Sequence, residues 1–412
     1  MLHGNILVGQ SGGPTAAINA SLSGVIRGTE ENWSIGTIYG AINGIEGVLE
    51  ERFCNLSEIF ADKSKLDILE NTPSSALGSC RMKLPALPAE GETDETYEKL
   101  FAIFRKYNIR YFFYIGGNDS MDTVAKISAY SKRTDYLIRV MGVPKTIDND
   151  VAGTDHTPGY GSAAKYIATS MQEIIRDCSV YTVKAVTIVE IMGRDAGWLT
   201  AAAALPALSC GCAPDLVYLP ERTFDFDCFY EDVQAALEKH PNVVIAVSEG
   251  LRTADGRYVG ESAQSGAADV FGHKYLSGTG KALEMAVKEK FGCKVRSVEL
   301  NILQRCASHI ASLTDISESV EVGRAAVWAA TSGESGKMMT LVRTSDDPYE
   351  CKPGSEDIDK IANFVRAVPD EFINERGNNV TEACLRYIQP LIEGEVTQKY
   401  EHGLPVHMVI EK

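Results

Sequence analysis

Short runs of apolar residues recur along the chain, and most are followed by a glycine or polar turn and then by helically spaced apolar positions. Seven such runs predict strands, at residues 5–8, 111–115, 136–143, 185–191, 216–219, 243–247 and 295–300. Runs of this length between turn residues are typical of strands that are buried on both faces. Because strands alternate with helices, the pattern predicts an α/β fold with a mainly parallel sheet covered by helices.

Breaks in this pattern suggest how the chain is divided. Residues 85–96 and 345–359 combine prolines with acidic residues, which predicts surface loops. The sequence PGYG at 158–161 stands before a helix that should begin near Ser162. A chain of 412 residues is long for one simple core, so this break suggests a domain boundary near residues 150–160.

Composition and charge narrow the classes of protein. The chain is 44% hydrophobic and 23% charged, which is typical of a globular protein. With 40 basic and 56 acidic residues its net charge is −16, which argues against nucleic acid or an anionic membrane as partner. The ten cysteines lack zinc-binding spacing, and there is no signal-peptide pattern or membrane-length apolar run. These features predict a cytoplasmic protein with free thiols, in which any phosphate site concentrates positive charge locally.

Glycine-rich sequences follow the first two predicted strands: GQSGGP at 9–14 and GGNDS at 116–120. Glycines at a strand-to-helix turn let backbone N–H groups approach an anion, and a helix N-terminus favours negative charge. Each sequence alone also fits a plain tight turn, and neither is a Walker A loop. Two such loops on one sheet indicate a polyphosphate site. Ser120 is a candidate N-cap, while Asn118 and Asp119 could hold a metal or exclude a competing anion.

The sequence PKTIDND at 144–150 follows the third predicted strand and brings a lysine and carboxylates to its carboxyl end. In open α/β sheets this end is where ligands bind. Asp148 is placed to take a proton from an attacking hydroxyl, and Lys145 could hold a transferring phosphoryl group. A solvated turn is the alternative for any single loop, but three polar-ended strands in one sheet favour a site.

Further charged residues follow the later strands. Arg194 lies in MGRDAG at 192–197, where an arginine suits bidentate contact with phosphate, and Glu249 ends the next strand. Arg296 and Arg305 flank the strand beyond. A surface ion pair is the alternative for each arginine.

Seven segments together resemble the phosphofructokinase family, in the family's order and over roughly residues 4–310. They are GQSGGP (9–14), LGSCR (77–81), GGNDS (116–120), PKTIDND (144–150), MGR (192–194), SEG (248–250) and QR (304–305). The resemblance implies two Rossmann-like three-layer lobes, an active site in the cleft between them, and a helical C-terminal elaboration. It also implies Mg²⁺-dependent, glycolytic phosphorylation of the 1-hydroxyl of fructose 6-phosphate to fructose 1,6-bisphosphate.

The resemblance also suggests domain boundaries and site residues. Residues 1–155, completed by about 307–350, would form the donor-binding lobe, 156–306 the fructose 6-phosphate lobe, and 351–412 a C-terminal extension. The implied donor-side residues are Gly12, Gly13, Arg81 and Gly117, with Asn118 as a metal ligand. The implied sugar-side residues are Thr146, Ile147, Asp148, Met192, Gly193, Arg194, Glu249, Arg296, Gln304 and Arg305. Asp148 matches the catalytic base and Arg305 a ligand of the 6-phosphate. Arg296 resembles a residue donated across a subunit interface, which implies a homodimer or higher homo-oligomer.

Two positions concern the phosphoryl donor. ATP-dependent members of the family carry glycine where this chain has Asp119 and Lys145, and both residues resemble the pyrophosphate-dependent branch. A carboxylate at Asp119 would repel the α-phosphate of ATP, while Lys145 would compensate for a donor that has no nucleoside to anchor it. The resemblance thus implies reversible transfer from pyrophosphate, with Asp148, Lys145, Asp119 and Arg194 as the catalytic set.

Three other hypotheses stay open to test. They are an ATP-dependent phosphofructokinase, a non-catalytic regulatory subunit that binds sugar phosphates, and a dinucleotide-binding oxidoreductase. A regulatory subunit would usually have lost its base or donor loop, and both are retained here. The oxidoreductase lacks support because no GxGxxG sequence with an acidic ribose ligand is evident.

Overall fold

The computed structural model describes residues 2–30, 33–261, 278–361 and 364–411. The strands are β1 (Gly4–Gln10), β2 (Ile35–Ala41), β3 (Phe53–Asn55), β4 (Ile109–Gly116), β5 (Arg139–Pro144), β6 (Ala185–Ile191), β7 (Leu216–Tyr218), β8 (Asn242–Ser248), β9 (Lys294–Glu299), β10 (Lys337–Asp346), β11 (Tyr349–Asp357), β12 (Tyr400–Glu401) and β13 (Leu404–Pro405).

Helices connect most of these strands. They are α1 (Ile18–Arg27), α2 (Gly44–Leu49), α3 (Leu56–Ile59), α4 (Ser64–Glu70), α5 (Glu95–Lys106), α6 (Asn118–Ser131), α7 (Tyr160–Cys178), α8 (Trp198–Ala202), α9 (Pro206–Cys210), α10 (Phe226–Lys239), α11 (Thr279–Phe291), α12 (Leu303–Cys306), α13 (Leu313–Ser332) and α14 (Glu382–Ile388). Short 3-10 turns occur at Ser308–Ile310, Ile358–Lys360, Asp370–Phe372 and Gln389–Ile392. No described helix has the length and apolar character needed to cross a membrane.

The first sheet has seven strands in the order β11-β10-β5-β4-β1-β2-β3. The five inner strands pair in parallel, while β3 and β11 pair antiparallel at the two edges. In the register, Ile115 of β4 lies opposite Gln10 of β1, and Gly116 lies opposite Pro144 of β5. The three loops that the sequence singles out therefore leave one edge of one sheet side by side.

The second sheet has four parallel strands in the order β7-β8-β6-β9. Ile191 at the end of β6 lies opposite Ser248 at the end of β8. This register brings the loop that begins at Met192 next to Glu249. The predicted α/β class with mainly parallel sheets is confirmed.

All seven strands predicted from apolar runs are present, but β2, β3 and the hairpin of β10 and β11 were not predicted. The predicted loop at 345–359 is wrong, because most of it forms β11. The prolines suggested a loop, but Pro353 lies on the edge strand β11. An edge strand tolerates a proline because the missing N–H can face away from the neighbouring strand, so the sheet loses no hydrogen bond. The C-terminal region is accordingly not only helical, since this hairpin extends the first sheet to Asp357. The domain boundaries stay a prediction.

Glycines allow two helices to pack closely on the first sheet. A Cβ on Gly24 of α1 would lie 2.1 Å from the carbonyl oxygen of Val320 in α13, and one on Gly323 would lie 2.3 Å from that of Ser21. Atoms cannot approach so closely, so the two backbones touch only because side chains are missing at both positions. Residues from after the second sheet are thus built into the core of the first.

Candidate active site

The first loop leaves β1 in a conformation that requires glycine. Gly12 has φ +76°, which is costly for residues with a side chain. Its N–H donates to the carbonyl of Cys80 over 3.2 Å, and Ser79 Oγ donates to the carbonyl of Gly12 over 2.5 Å. These bonds bring the segment at 77–81 to the loop. Arg81, predicted on the donor side, is exposed beside it.

Lys145 reaches from the end of β5 into this loop. Its side chain is only 2% exposed, and its Nζ donates a hydrogen bond to the carbonyl of Gly13. A Cβ built on Gly12 would lie 3.5 Å from the same Nζ. Burial lowers the pKa of Lys145 to about 8, although Asp148 opposes this change. The positively charged side chain of Lys145 therefore lies between the glycine loop and the carboxylates, in a protein that is acidic overall.

Asp148 is held by the residue two positions before it. Its N–H donates to Thr146 Oγ1 over 3.1 Å, and that hydroxyl donates to Asp148 Oδ2 over 3.4 Å. Burial raises the pKa of Asp148, while Lys145, Thr146 and Arg194 lower it. The carboxylate thus stays basic enough to accept a proton, with cations close by that favour its ionised form.

Asn118 and Asp150 meet at the cleft from neighbouring loops. Asn118 Nδ2 donates to Asp150 Oδ2 over 3.2 Å, and Asn118 Oδ1 is buried with no hydrogen-bond partner among the described residues. Burial, followed by the nearby Asp148, raises the pKa of Asp150 to about 7. A buried acceptor without a donor and two crowded carboxylates fit a divalent cation with oxygen ligands. Sequence reasoning omitted Asp150 from the site, although its place two residues after Asp148 was a usable signal.

Asp119 faces outwards at the start of α6. It forms an ion pair with Lys83 over 2.9 Å, and both side chains are nearly half exposed. The negative charge of Asp119 therefore lies on the outer side of the loop after β4. The prediction of Ser120 as the N-cap of α6 is wrong, because the helix begins at Asn118 with Gly117 as its N-cap. Gly117 keeps the extended backbone that leads from β4 into this turn.

The loop after β6 is fixed by Ser248 and opens towards Glu249. Ser248 Oγ donates to the carbonyl of Gly193 over 2.6 Å, and Gly193 N–H donates to Glu249 Oε1 over 3.3 Å. Gly193 has φ +128°, so it too depends on lacking a side chain. Burial, followed by the charge of Asp148, raises the pKa of Glu249 to about 8. The charge of Arg194, in the same loop, lowers the pKa of both Asp148 and Glu249 and so partly offsets the effect of their burial.

The segment at 304–305 joins the two sides of the cleft. Gln304 is buried, and its Oε1 accepts a hydrogen bond from the N–H of Met192 over 3.3 Å. A Cβ on Gly13 would lie 3.7 Å from Arg305 Nη1, and Arg305 also influences the pKa of Lys145. Arg305 therefore lies close to both the donor loop and the lysine.

Two predicted sugar-side residues are located differently. The side chain of Ile147 is 7% exposed and packs in the core around Tyr160 and Trp198, so only its backbone faces the cleft. Arg296 lies on the edge strand β9, where it pairs with Thr187 of β6, and the side chain of Arg296 is exposed. Thr187 lies five residues before Met192, where the loop after β6 begins. Five strand residues span about 16 Å, so Arg296 does not reach this chain's own cleft.

Comparisons with known proteins agree with this geometry. Residues 5–330 match the family described as phosphofructokinase. The chain is 41% identical over 409 residues to a pyrophosphate--fructose 6-phosphate 1-phosphotransferase of Methylococcus capsulatus, covering 98% of this chain and 96% of that protein. Crystal structures of pyrophosphate-dependent phosphofructokinases from Nitrosospira multiformis and Marinobacter aquaeolei superpose with TM-scores of 0.87 and 0.86. Each is 37% identical to this chain. The match with the Nitrosospira multiformis structure covers 98% of this chain and 96% of that one. The match with the Marinobacter aquaeolei structure covers 99% of this chain and 98% of that one. The chain therefore belongs to the phosphofructokinase family.

Proposed function

We propose that this protein reversibly transfers a phosphoryl group from pyrophosphate to the 1-hydroxyl of fructose 6-phosphate. The products are fructose 1,6-bisphosphate and phosphate, and we place this glycolytic step in the cytoplasm. One observation carries the proposal: the buried Lys145 joins the glycine loop at Gly13 to the charge of Asp148. The names of the relatives support the same donor and acceptor.

In this mechanism Asp148 is the general base. The 1-hydroxyl oxygen attacks the nearer phosphorus of pyrophosphate, a new P–O bond forms, and the bond to the bridging oxygen breaks. The hydroxyl proton passes to Asp148, and phosphate departs with the electron pair. Lys145 and Arg194 stabilise the negative charge that develops on the transferring and leaving oxygens.

On the sugar side, Arg305 and Arg194 would bind phosphate oxygens while Glu249 contacts a sugar hydroxyl. The loop at Met192 and Gly193, held by Gln304, would shape this part of the cleft. Because Arg296 is exposed far from its own cleft, we propose that it completes the sugar site of a second copy in a homo-oligomer. Sedimentation that gives the mass of a single chain at assay concentrations would contradict this arrangement.

Asn118 Oδ1 and Asp150 would hold Mg²⁺, since Asn118 Oδ1 is buried without a donor among the described residues and the carboxylate of Asp150 lies beside the same amide. When bound, the ion supplies charge neutralisation on pyrophosphate oxygens. The pair of Asp150 and Asp148 would then both remain ionised near neutral pH, because a cation offsets their repulsion.

A donor assay tests the proposed function directly. Purified protein is supplied with fructose 6-phosphate and Mg²⁺, and with either pyrophosphate or ATP as donor. We expect turnover with pyrophosphate, little with ATP, and loss of turnover when EDTA removes the metal. Turnover with ATP and none with pyrophosphate would establish the ATP-dependent alternative, and no turnover with either donor would support a regulatory subunit.

The pKa of Lys145 predicts how the reaction depends on pH. Because this pKa is lowered to about 8, the side chain is a cation below pH 8 and becomes neutral as the pH rises through that value. The kcat/KM for pyrophosphate should therefore fall above about pH 8, approaching a tenfold loss per pH unit. The Lys145→Arg variant should move this basic limb to higher pH, and a limb that stays in place would assign it to another group.

A further inference from the structure

The turn that carries Asp148 and Asp150 depends on the residue between them. Asn149 has φ +53°, a left-handed conformation, and its side chain is fully buried. Its Oδ1 accepts a hydrogen bond from the N–H of Thr157 over 3.0 Å, and its Nδ2 donates to the hydroxyl of Tyr387 over 3.1 Å. The two neighbouring carboxylates are therefore aimed by an amide that is held at both ends.

The hydroxyl of Tyr387 is the meeting point of several bonds. It lies on α14, 238 residues from Asn149 along the chain, and donates to the carbonyl of Asp155 over 2.7 Å. It accepts from Arg366, whose Nη1 and Nη2 each lie 3.2 Å away. The ring lies against Arg343, 4.5 Å from the guanidinium carbon to the ring centroid. One phenol thus contacts both ends of the loop that begins at Asp148.

The segment beside Arg366 holds the same loop through its backbone. Arg366 N–H donates to the carbonyl of Asp150 over 2.8 Å, and Val365 forms a β-bridge with Val151. The carbonyl of Arg366 accepts from Trp198 Nε1 over 2.9 Å. Because Trp198 begins α8, the helix that follows β6 of the second sheet, this segment connects the loop of Asp148 to the sugar-side half of the cleft.

We propose that Tyr387 is a positioning residue for the transfer reaction, an inference that rests on the proposed function. Its hydroxyl fixes Asn149, and Asn149 fixes the direction of Asp148 towards the attacking hydroxyl. Without the phenol oxygen, the buried Asn149 Nδ2 and the guanidinium of Arg366 would lose a shared acceptor, and the turn would be free to relax. General-base catalysis is sensitive to such a shift because the base must stay within hydrogen-bond reach of the proton.

The Tyr387→Phe variant removes only this hydroxyl and keeps the ring against Arg343. We expect kcat to fall by about ten- to hundredfold, as for a misplacement of about 1 Å. The KM for fructose 6-phosphate should change by less than about threefold, since no sugar ligand is removed. A thermal midpoint within about 4 °C of the wild type would show that the fold is kept.

Tyr349→Phe is the matched control. Tyr349 is also half-buried beside Arg343, and its hydroxyl donates to Glu318 over 2.6 Å rather than to the loop of Asp148. This variant loses the same atom from the same ionic cluster, so kcat should stay within about twofold of the wild type. If the two phenylalanine variants lose kcat equally, the role of Tyr387 is structural and the inference fails.

Asn149→Gly keeps the test decisive if Tyr387→Phe folds poorly. Glycine tolerates the positive φ but lacks the amide, so this variant alone should reproduce the loss of kcat. When Tyr387→Phe folds, the double variant should lose no more kcat than Asn149→Gly alone, because both changes remove the same hydrogen bond. Fully additive losses would overturn the inference. A wild-type protein without pyrophosphate turnover would instead overturn the proposed function, so the two failures are distinguishable.

Discussion

Replacing Asp148 by asparagine is expected to lower kcat with pyrophosphate by about 10²- to 10⁴-fold, the range for loss of a general base. Asparagine keeps the size of the side chain and can still contact Thr146, but it cannot accept the proton of the 1-hydroxyl. Binding of fructose 6-phosphate should be largely retained, because its phosphate ligands are untouched. Steady-state kinetics and calorimetric titration with fructose 6-phosphate measure the two effects separately.

Asp232→Asn is the control for this change. Asp232 is a mostly buried aspartate that accepts from the hydroxyl of Tyr218 over 2.8 Å and pairs with Arg376, outside the cleft. The Asp232→Asn variant should be less stable than the wild type, with the same kcat per folded molecule.

Full activity in the Asp148→Asn variant would exclude Asp148 as the general base.

Replacing Lys145 by glycine is expected to lower the kcat/KM for pyrophosphate by about 30- to 1,000-fold, which corresponds to about 2–4 kcal/mol for one lost transition-state donor. The loss is expected because Nζ lies between the carbonyl of Gly13 and the charge of Asp148, where the proposed mechanism places the donor phosphates. The measurement is the initial rate over a range of pyrophosphate concentrations at saturating fructose 6-phosphate.

Lys165→Met separates this effect from the general cost of removing a buried lysine. Lys165 is 8% exposed, and its Nζ donates to the carbonyl of Gly394 over 2.6 Å and pairs with Glu395, away from the cleft. It should leave the kcat/KM for pyrophosphate nearly unchanged in the folded protein. An unchanged rate in Lys145→Gly would refute the donor role, and unchanged donor choice in Asp119→Gly with Lys145→Gly would favour ATP as the natural donor.

The parallel core was predictable because its signal is local. The apolar runs that form β1, β4 and β5 are buried on both faces, so composition alone distinguishes them from turns. Their polar ends then follow from the register of a parallel sheet, which places Lys145 beside the glycine loop. Strand β11 escaped because its side chains are mixed and it contains Pro353, features that an edge strand tolerates.

The support of the site was less predictable because it depends on contacts between distant residues. Asn149 could be recognised as a turn residue, but no local pattern shows that its amide bonds Tyr387. The cation fit of Asn118 likewise became visible only when its Oδ1 proved to be buried without a partner in the described part of the chain. Tertiary contacts of this kind carry no periodicity and no spacing rule.

The order in which the first sheet is assembled has a consequence for synthesis on the ribosome. The outer neighbour of β5 is β10, which follows the whole second sheet in the sequence. The N–H of Val140 likewise donates to Ser335, 195 positions later. At about 5–20 residues per second, the edge of β5 stays uncovered for roughly 10–40 s. The nascent chain must therefore keep an apolar strand edge from pairing with other chains during that interval. Chains that stop before Lys337 should therefore aggregate, even though they contain all three loops that follow β1, β4 and β5.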